Sequence, residues 1–268
     1  MRADKKNTAG GTGGSVSPKI VTHFIAGYPD FQTSLEVARG LIAGGAYALE
    51  MQIPFSDPNA DGPVIEGACR KALDGGFRVA DAWRLLETIR AESDIPVFVM
   101  SYASPVFTPG VEAFIRRGKD AGASGFIIPD LVPGSDEGLF EAAARAGCPA
   151  VPVVVPWISD ERLDEILSEP IQWIYVALRS GITGTYTELG PEQERFLEKF
   201  RQMCNPPRVM AGFGIQDAAQ VAAVVEMADA AIVGSALVRA IAGVSDAGGG
   251  APEAGDAVRE MVVRLRGK

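Results

Sequence analysis

Ala43-Gly44-Gly45-Ala46-Tyr47-Ala48-Leu49-Glu50-Met51-Gln52-Ile53 holds the repeating unit of the whole chain. The stretch before it, Phe31 to Ile42, carries apolar residues at the three-to-four-residue spacing of an amphipathic helix. The glycine pair can take the left-handed conformation that ends a helix. An apolar strand run, Ala46 to Ile53, follows at once. Helix, glycine stop, strand is therefore the local grammar.

The same grammar extends in both directions. Further strand runs lie at Ile20 to Ala26, Ile95 to Ser101, Gly125 to Ile128, Ala150 to Val155, Trp173 to Leu178, Arg208 to Ala211 and Ala230 to Val233. Helical spacing recurs at Val79 to Ala91, Val111 to Ala121, Asp136 to Ala146, Asp160 to Leu167, Pro191 to Met203 and Asp217 to Glu226. Ala121-Gly122-Ala123 and Ala146-Gly147-Cys148 repeat the glycine stop. Alternating strands and helices imply a parallel sheet. Eight such units favour a closed (β/α)₈ TIM barrel over an open sheet, and 268 residues suit a fold of about 250. The Gly-rich patch Gly243 to Gly255 is expected to separate a short helix starting near Ser235 from a last helix ending near Arg266.

A hydrophobic content of 47% is enough to bury one core, so residues 19–268 read as a single α/β domain. Residues 1–18 are polar and rich in Gly and Ser, and read as a disordered leader. With 25 basic against 34 acidic residues and a pI near 4.8, no basic face for nucleic acid is visible. Cys69, Cys148 and Cys204 are odd in number and lack metal-ligand spacing, which fits a reduced cytoplasmic setting. No apolar run of about 18 residues and no signal-peptide pattern occurs, so the expectation is a soluble chain with no membrane contact.

In such a barrel the chemistry gathers at the C-terminal ends of the strands. Glu50 lies at one of these ends, and Asp61 lies in the Pro- and acid-rich loop after it. Alternation turns Ala46, Ala48 and Glu50 toward the barrel axis and Tyr47, Leu49 and Met51 toward the helices. Glu50 is then a carboxyl in a mostly apolar interior with small neighbours, where ionisation is disfavoured, while Asp61 is expected near water. Two carboxyls in different settings can hold different protonation states, which is equipment for proton transfer. Gly212 and Gly214, and then Gly234 and Ser235, follow the last two strands, where backbone N–H groups and a helix dipole can receive a phosphate.

Other chemistries lack their residues. Lys5, Lys6, Lys19, Lys71, Lys119, Lys199 and Lys268 all fall away from strand exits, so no Schiff-base lysine is placed. His23 is the sole histidine, and no metal site or Ser-His-Asp triad can be assembled around it; it reads as a hydrogen-bonded histidine inside the barrel.

From Lys19 onward the chain resembles the tryptophan synthase alpha subunit family. The resemblance rests on Leu49-Glu50 with Ile53-Pro54-Phe55-Ser56-Asp57-Pro58, on Ala60-Asp61-Gly62-Pro63, on Ser180-Gly181-Ile182-Thr183-Gly184, on Gly212-Phe213-Gly214-Ile215 and on Gly234-Ser235-Ala236, in that order. It implies retro-aldol cleavage of indole-3-glycerol phosphate into indole and glyceraldehyde 3-phosphate, with no cofactor in this subunit. Glu50 would be the acid/base at the indole C3 carbon, and Asp61 would hold the indole N–H. Thr183 would sit in a loop closing over substrate, Gly184 would offer an N–H to phosphate, and Gly212, Gly214, Gly234 and Ser235 would complete the phosphate cup. Tyr102, Tyr175 and Phe213 would line the pocket.

The resemblance also implies a partner, a pyridoxal-phosphate-dependent beta subunit in an alpha2beta2 heterotetramer, faced by the loops at Pro54 to Pro63, Tyr102 to Val106 and Asp130 to Pro133. Against the family pattern, the leader lacks an amphipathic helix. His23 stands in place of an apolar aromatic, Gln52 in place of a glycine, Asn59 in place of a leucine, and Thr185-Tyr186 is bulkier than usual. Two rival readings remain open: an alpha-like subunit that mainly activates a beta partner, and a barrel isomerase or synthase acting on another phosphorylated metabolite.

Overall fold

A computed structural model describes residues 17–178, 189–212 and 214–268. The leader lies outside them apart from Ser17 and Pro18, as do Thr183, Gly184 and Phe213.

The strands are β1 (Ile20–Ile25), β2 (Ala48–Gln52), β3 (Val97–Met100), β4 (Gly125–Ile127), β5 (Ala150–Val151), β6 (Val153–Val154), β7 (Trp173–Ala177), β8 (Arg208–Gly212) and β9 (Ala230–Val233). All pair in parallel, in the order β5-β4-β3-β2-β1-β9-β8-β7-β6. The two ends of that order, β5 and β6, are separated in the chain by Pro152 alone. They are the halves of the expected strand Ala150 to Val155, split at a residue that has no N–H to donate. The Pro152 carbonyl still accepts from the Tyr175 N–H at 2.9 Å, so the ring of strands runs on through the break. The TIM barrel stands.

The helices are α1 (Phe31–Gly44), α2 (Pro63–Asp74), α3 (Val79–Glu92), α4 (Ala103–Phe107), α5 (Val111–Asp120), α6 (Leu139–Ala146), α7 (Asp160–Leu167), α8 (Pro191–Arg201), α9 (Ala218–Val225), α10 (Ser235–Asp246) and α11 (Ala251–Leu265). Asp30 caps α1, its Oδ1 accepting from the Thr33 N–H at 2.8 Å, and Gly45 ends it at φ 91°. Three differences from expectation stand out. Helices α2 and α4 were not anticipated. Helix α6 begins at Leu139 because Asp136 accepts from the Phe140 N–H at 2.8 Å instead of joining the helix. Helix α10 runs for 12 residues and is not short.

Alternation along β2 holds within the strand: Leu49 and Met51 join the outer core beneath the helices, and Ala48 joins the inner one. It fails just before the strand. Tyr47 packs on the inner cluster, 6.4 Å from Trp173 between ring centroids, and Ala46 packs on the outer one. The chain is not yet extended there, so the two-residue period does not reach back. Trp173 also meets Phe98 edge-on at 6.1 Å and lies under the Arg208 guanidinium. At about 25 cal/mol per Å², a buried ring of roughly 200 Å² contributes about 5 kcal/mol before entropy is charged against it. Trp173 and Arg208 both begin their strands, so this cluster fills the N-terminal end of the barrel and leaves the strand exits for a cavity.

Helices α1 and α11 meet at glycine. A Cβ on Gly40 would lie 2.1 Å from the Gly255 carbonyl oxygen, so the two backbones approach closer than any side chain allows.

Candidate active site

Parallel register pairs His23 of β1 with Glu50 of β2, and Glu50 in turn with Phe98 of β3. Alternation alone leads to small neighbours in a mostly apolar interior for Glu50; the register instead sets it beside an imidazole and a phenyl ring. His23 Nδ1 lies 3.4 Å from Glu50 Oε1, with both side chains almost fully buried. Burial works against the charged imidazolium, but the Glu50 carboxylate, helped by Asp61, outweighs it and raises the His23 pKa above 6.5. The lone histidine belongs to the site.

Asp61 is also buried, at 9% exposure, which corrects its expected place near water. The turn that closes with Asp61 N–H donating to the Pro58 carbonyl at 2.9 Å brings the chain back over the barrel, and α2 starts two residues on, with Pro63 in its first turn. Gln52, two residues after Glu50 on the same inward face, donates from Nε2 to Asp61 Oδ2 at 2.8 Å. The Tyr102 hydroxyl donates to the same oxygen at 2.8 Å and accepts from the Ala60 N–H at 3.3 Å. Phe55 stacks on the Tyr102 ring at 5.5 Å. Desolvation raises the Asp61 pKa above 3.8, against the lowering effect of His23, Gln52 and Tyr102. The Tyr102 hydroxyl is pushed up by burial and by the carboxylate it serves, and burial drives Tyr175 well above 10, with Glu50 and Asp61 adding to it.

These groups surround a cavity of about 610 Å³, counting its open mouth. His23, Glu50, Asp61 and Tyr175 line it, together with Gly214, Gly234 and Ser235 at the start of α10. Met100, Ile127, Val153 and Ile232 supply an apolar wall. Tyr102 is not on that wall; its hydroxyl reaches the cavity through Asp61. Gly212 is set back: a Cβ there would meet Ile232 Cβ at 2.7 Å, so its glycine serves strand packing between β8 and β9. Gly214 has φ 85°, a backbone only glycine holds without strain. Gly234 makes room for the imidazole, since a Cβ on it would lie 3.3 Å from His23 Cβ.

The cavity combines paired carboxyls, an imidazole, an apolar wall and a helix N-terminus whose first amides have no partner within the helix. Such a site suits proton transfer on an aromatic substrate that carries an anion. Sequence reasoning missed the apolar wall, although each of its strand residues sits near a strand exit; it placed His23 inside the barrel as a hydrogen-bonded histidine without naming the Glu50 partner, and it missed the role of Gln52. Only the register between β1 and β2 shows where those two point. Among the described residues no group of His, Cys, Asp and Glu is arranged to hold a metal ion, and no helix is long and apolar enough to cross a membrane.

The family model described as "Tryptophan synthase alpha chain" matches residues 15–261. The tryptophan synthase alpha chain of Helicobacter hepaticus is 39% identical over 234 residues, covering 85% of this chain and 87% of its own. That of Aquifex aeolicus is 36% identical over 222 residues, with 82% and 84% covered. Among solved structures, a tryptophan synthase complex from Pyrococcus furiosus superposes with a TM-score of 0.82 at 28% identity, over 94% of this chain and 99% of that one. Tryptophan synthase of Mycobacterium tuberculosis gives 0.82 at 30% identity, over 94% and 92%.

Proposed function

Since the chain belongs to the tryptophan synthase alpha chain family and so has a lyase role in tryptophan synthesis, we propose that it cleaves indole-3-glycerol phosphate to indole and glyceraldehyde 3-phosphate. The observation that carries this reading is the shared cavity, where Glu50 and Asp61 face the same space as Gly214, Gly234 and Ser235.

The indole lies on the wall of Met100, Ile127 and Ile232, and the phosphate takes the first amides of α10 with Gly214. Glu50 gives a proton to the ring carbon C3. Asp61, held at Oδ2 by Gln52 and Tyr102, accepts the indole N–H and stabilises the positive charge that grows on the ring. With the ring carbon protonated, the bond to the glycerol phosphate breaks, its electrons return to the ring, and the adjacent hydroxyl becomes the aldehyde as it gives up its proton to a basic side chain of the cavity wall. Every one of these steps is supplied by side chains, so the subunit works without a cofactor. Thr183 and Gly184, in the family's closing loop, lie outside the described residues, as does Phe213.

A beta subunit carrying pyridoxal phosphate takes up the indole in an alpha2beta2 assembly in the cytoplasm. Docking is supported by an apolar groove between Pro54, Phe55, Trp83, Pro105 and Pro109, which adjoins the loops after β2 and β3. Indole release by the purified chain, alone and with a beta subunit, tests the reading. Indole from the parent and none from Glu50→Gln is the expected result; turnover of the substrate to a product other than indole would overturn it.

A further inference from the structure

The His23 and Glu50 side chains are adjacent, buried and on the cavity wall, and each keeps one polar atom without a partner among the described residues: Nε2 of His23 and Oε2 of Glu50. The atoms that face each other, Nδ1 and Oε1, are the other two. A buried polar atom left without a partner costs about 1–3 kcal/mol, so two of them at one cavity call for an account in terms of a ligand. Gly234 shapes the place, since the imidazole rests against its backbone where any Cβ would crowd it.

We propose that His23 is a second catalytic group, and that its imidazole and the Glu50 carboxyl act as a dyad which gives one proton to the substrate ring carbon and takes one from the substrate hydroxyl. This rests on the retro-aldol reading above, which requires one proton delivered and one removed at two different atoms.

The division of labour balances. In the proton arrangement that starts the cycle, Glu50 carries a proton at Oε2 and its Oε1 faces Nδ1–H of His23, whose Nε2 is one of the buried atoms without a partner. The Oε2 proton goes to ring carbon C3. As the carbon–carbon bond breaks, the hydroxyl proton goes to Nε2, leaving an imidazolium beside a carboxylate. After the products leave, the Nε2 proton passes to Oε2 through a water molecule in the emptied cavity, and the pair is again an acid protonated at Oε2 beside an imidazole protonated at Nδ1. The dyad holds two protons before and after, and no outside reactant is consumed. Separating the two tasks removes the need for one carboxyl to serve both carbon and oxygen within a single turnover.

The charges around the imidazole agree. Glu50 faces it from β2, Asp61 from the loop before α2, and Gln52, which is neutral, from the end of β2. Glu50 and Asp61 outweigh the penalty of burial and favour the imidazolium formed during the cycle. On its other side β9 and the start of α10 present Gly234 and Ser235, which carry no charge; Tyr175, across the cavity, is held as a neutral phenol.

His23 is the only histidine, so its imidazole gives a single set of ring signals in NMR. The full chain, its Glu50→Gln variant, and His23→Asn and His23→Phe are compared. In Glu50→Gln the His23 titration should fall by about one pH unit or more, because burial persists while the facing charge is gone. His23→Asn keeps a polar contact to Glu50 but carries no proton. It should lose about 10²-fold in kcat with KM little changed, matching His23→Phe and losing the limb of the pH profile that follows the imidazole. The proposal is overturned if His23→Asn retains parental kcat and pH profile, or if the His23 titration ignores Glu50→Gln. Should the parent release no indole, the reaction assigned above fails, and the pairing is then decided by the titration alone.

Discussion

Gln52 donates from Nε2 to Oδ2 of Asp61 at 2.8 Å, joining the exit of β2 to the loop that begins α2. Tyr102 binds the same oxygen, so two neutral donors hold one buried carboxyl in a single orientation. The first prediction concerns this clamp. Gln52→Leu removes a donor that lowers the Asp61 pKa, so that pKa should rise further and the acid limb of kcat/KM should move to higher pH. A pH profile of indole release, parent against variant, checks it; an unmoved limb would show that Tyr102 suffices.

Asp61→Asn keeps the size of the side chain and replaces the carboxylate facing the indole N–H by a neutral amide. Removing one preorganised electrostatic group of this kind costs about 10²–10³ in kcat. Steady-state indole formation should show that loss with the fold unchanged by circular dichroism.

The phosphate end should respond to charge at the start of α10. Ser235→Asp places an anion where the helix dipole is expected to receive the substrate's phosphate. KM should rise at least about tenfold, while binding of uncharged indole changes little. Equal weakening of both ligands would argue against a phosphate seat there.

His23 also ties stability to pH. Its folded pKa is raised above 6.5, so between 6.5 and the folded value the folded state holds more protons than the unfolded one, and stability falls as pH rises through that window. Below 6.5 the contribution is complete. Urea unfolding at a series of pH values from 6 to 8 should show a decline no steeper than about 1.4 kcal/mol per pH unit from this one group, and His23→Phe should flatten it.

Gly40→Ala tests the helix contact that closes the ring of helices. The added methyl carbon would sit 2.1 Å from the Gly255 carbonyl oxygen, so α1 and α11 must separate. Overpacking of this kind costs about 1–3 kcal/mol, seen as a lower Tm with the barrel otherwise intact.

The unanticipated α2 shows what a sequence pattern can hide. Its buried residues Ile65, Ala68, Cys69 and Ala72 follow helical spacing, yet Gly67 and the charges around them leave the segment with no net apolar character. The five-residue α4 is too short to display a period at all. The fifth strand, expected as one run from Ala150 to Val155, divides at Pro152, which has no N–H to donate, and the pairing on each side of it needed the fold to be seen.

The barrel, the inward turn of Glu50 and the glycines after the last strands were legible in sequence because each follows from local rules: a period of two, a helical period, a residue without Cβ. Register is not local. That His23 stands against Glu50, and that Gln52 and Tyr102 close on Asp61, depends on how strands and loops distant in the chain align, and the alignment is decided by the packing of the closed barrel as a whole. Tertiary structure alone therefore set the burial of Asp61 and gave the single histidine its carboxyl partner, since both result from contacts between segments whose spacing along the chain carries no record of their meeting.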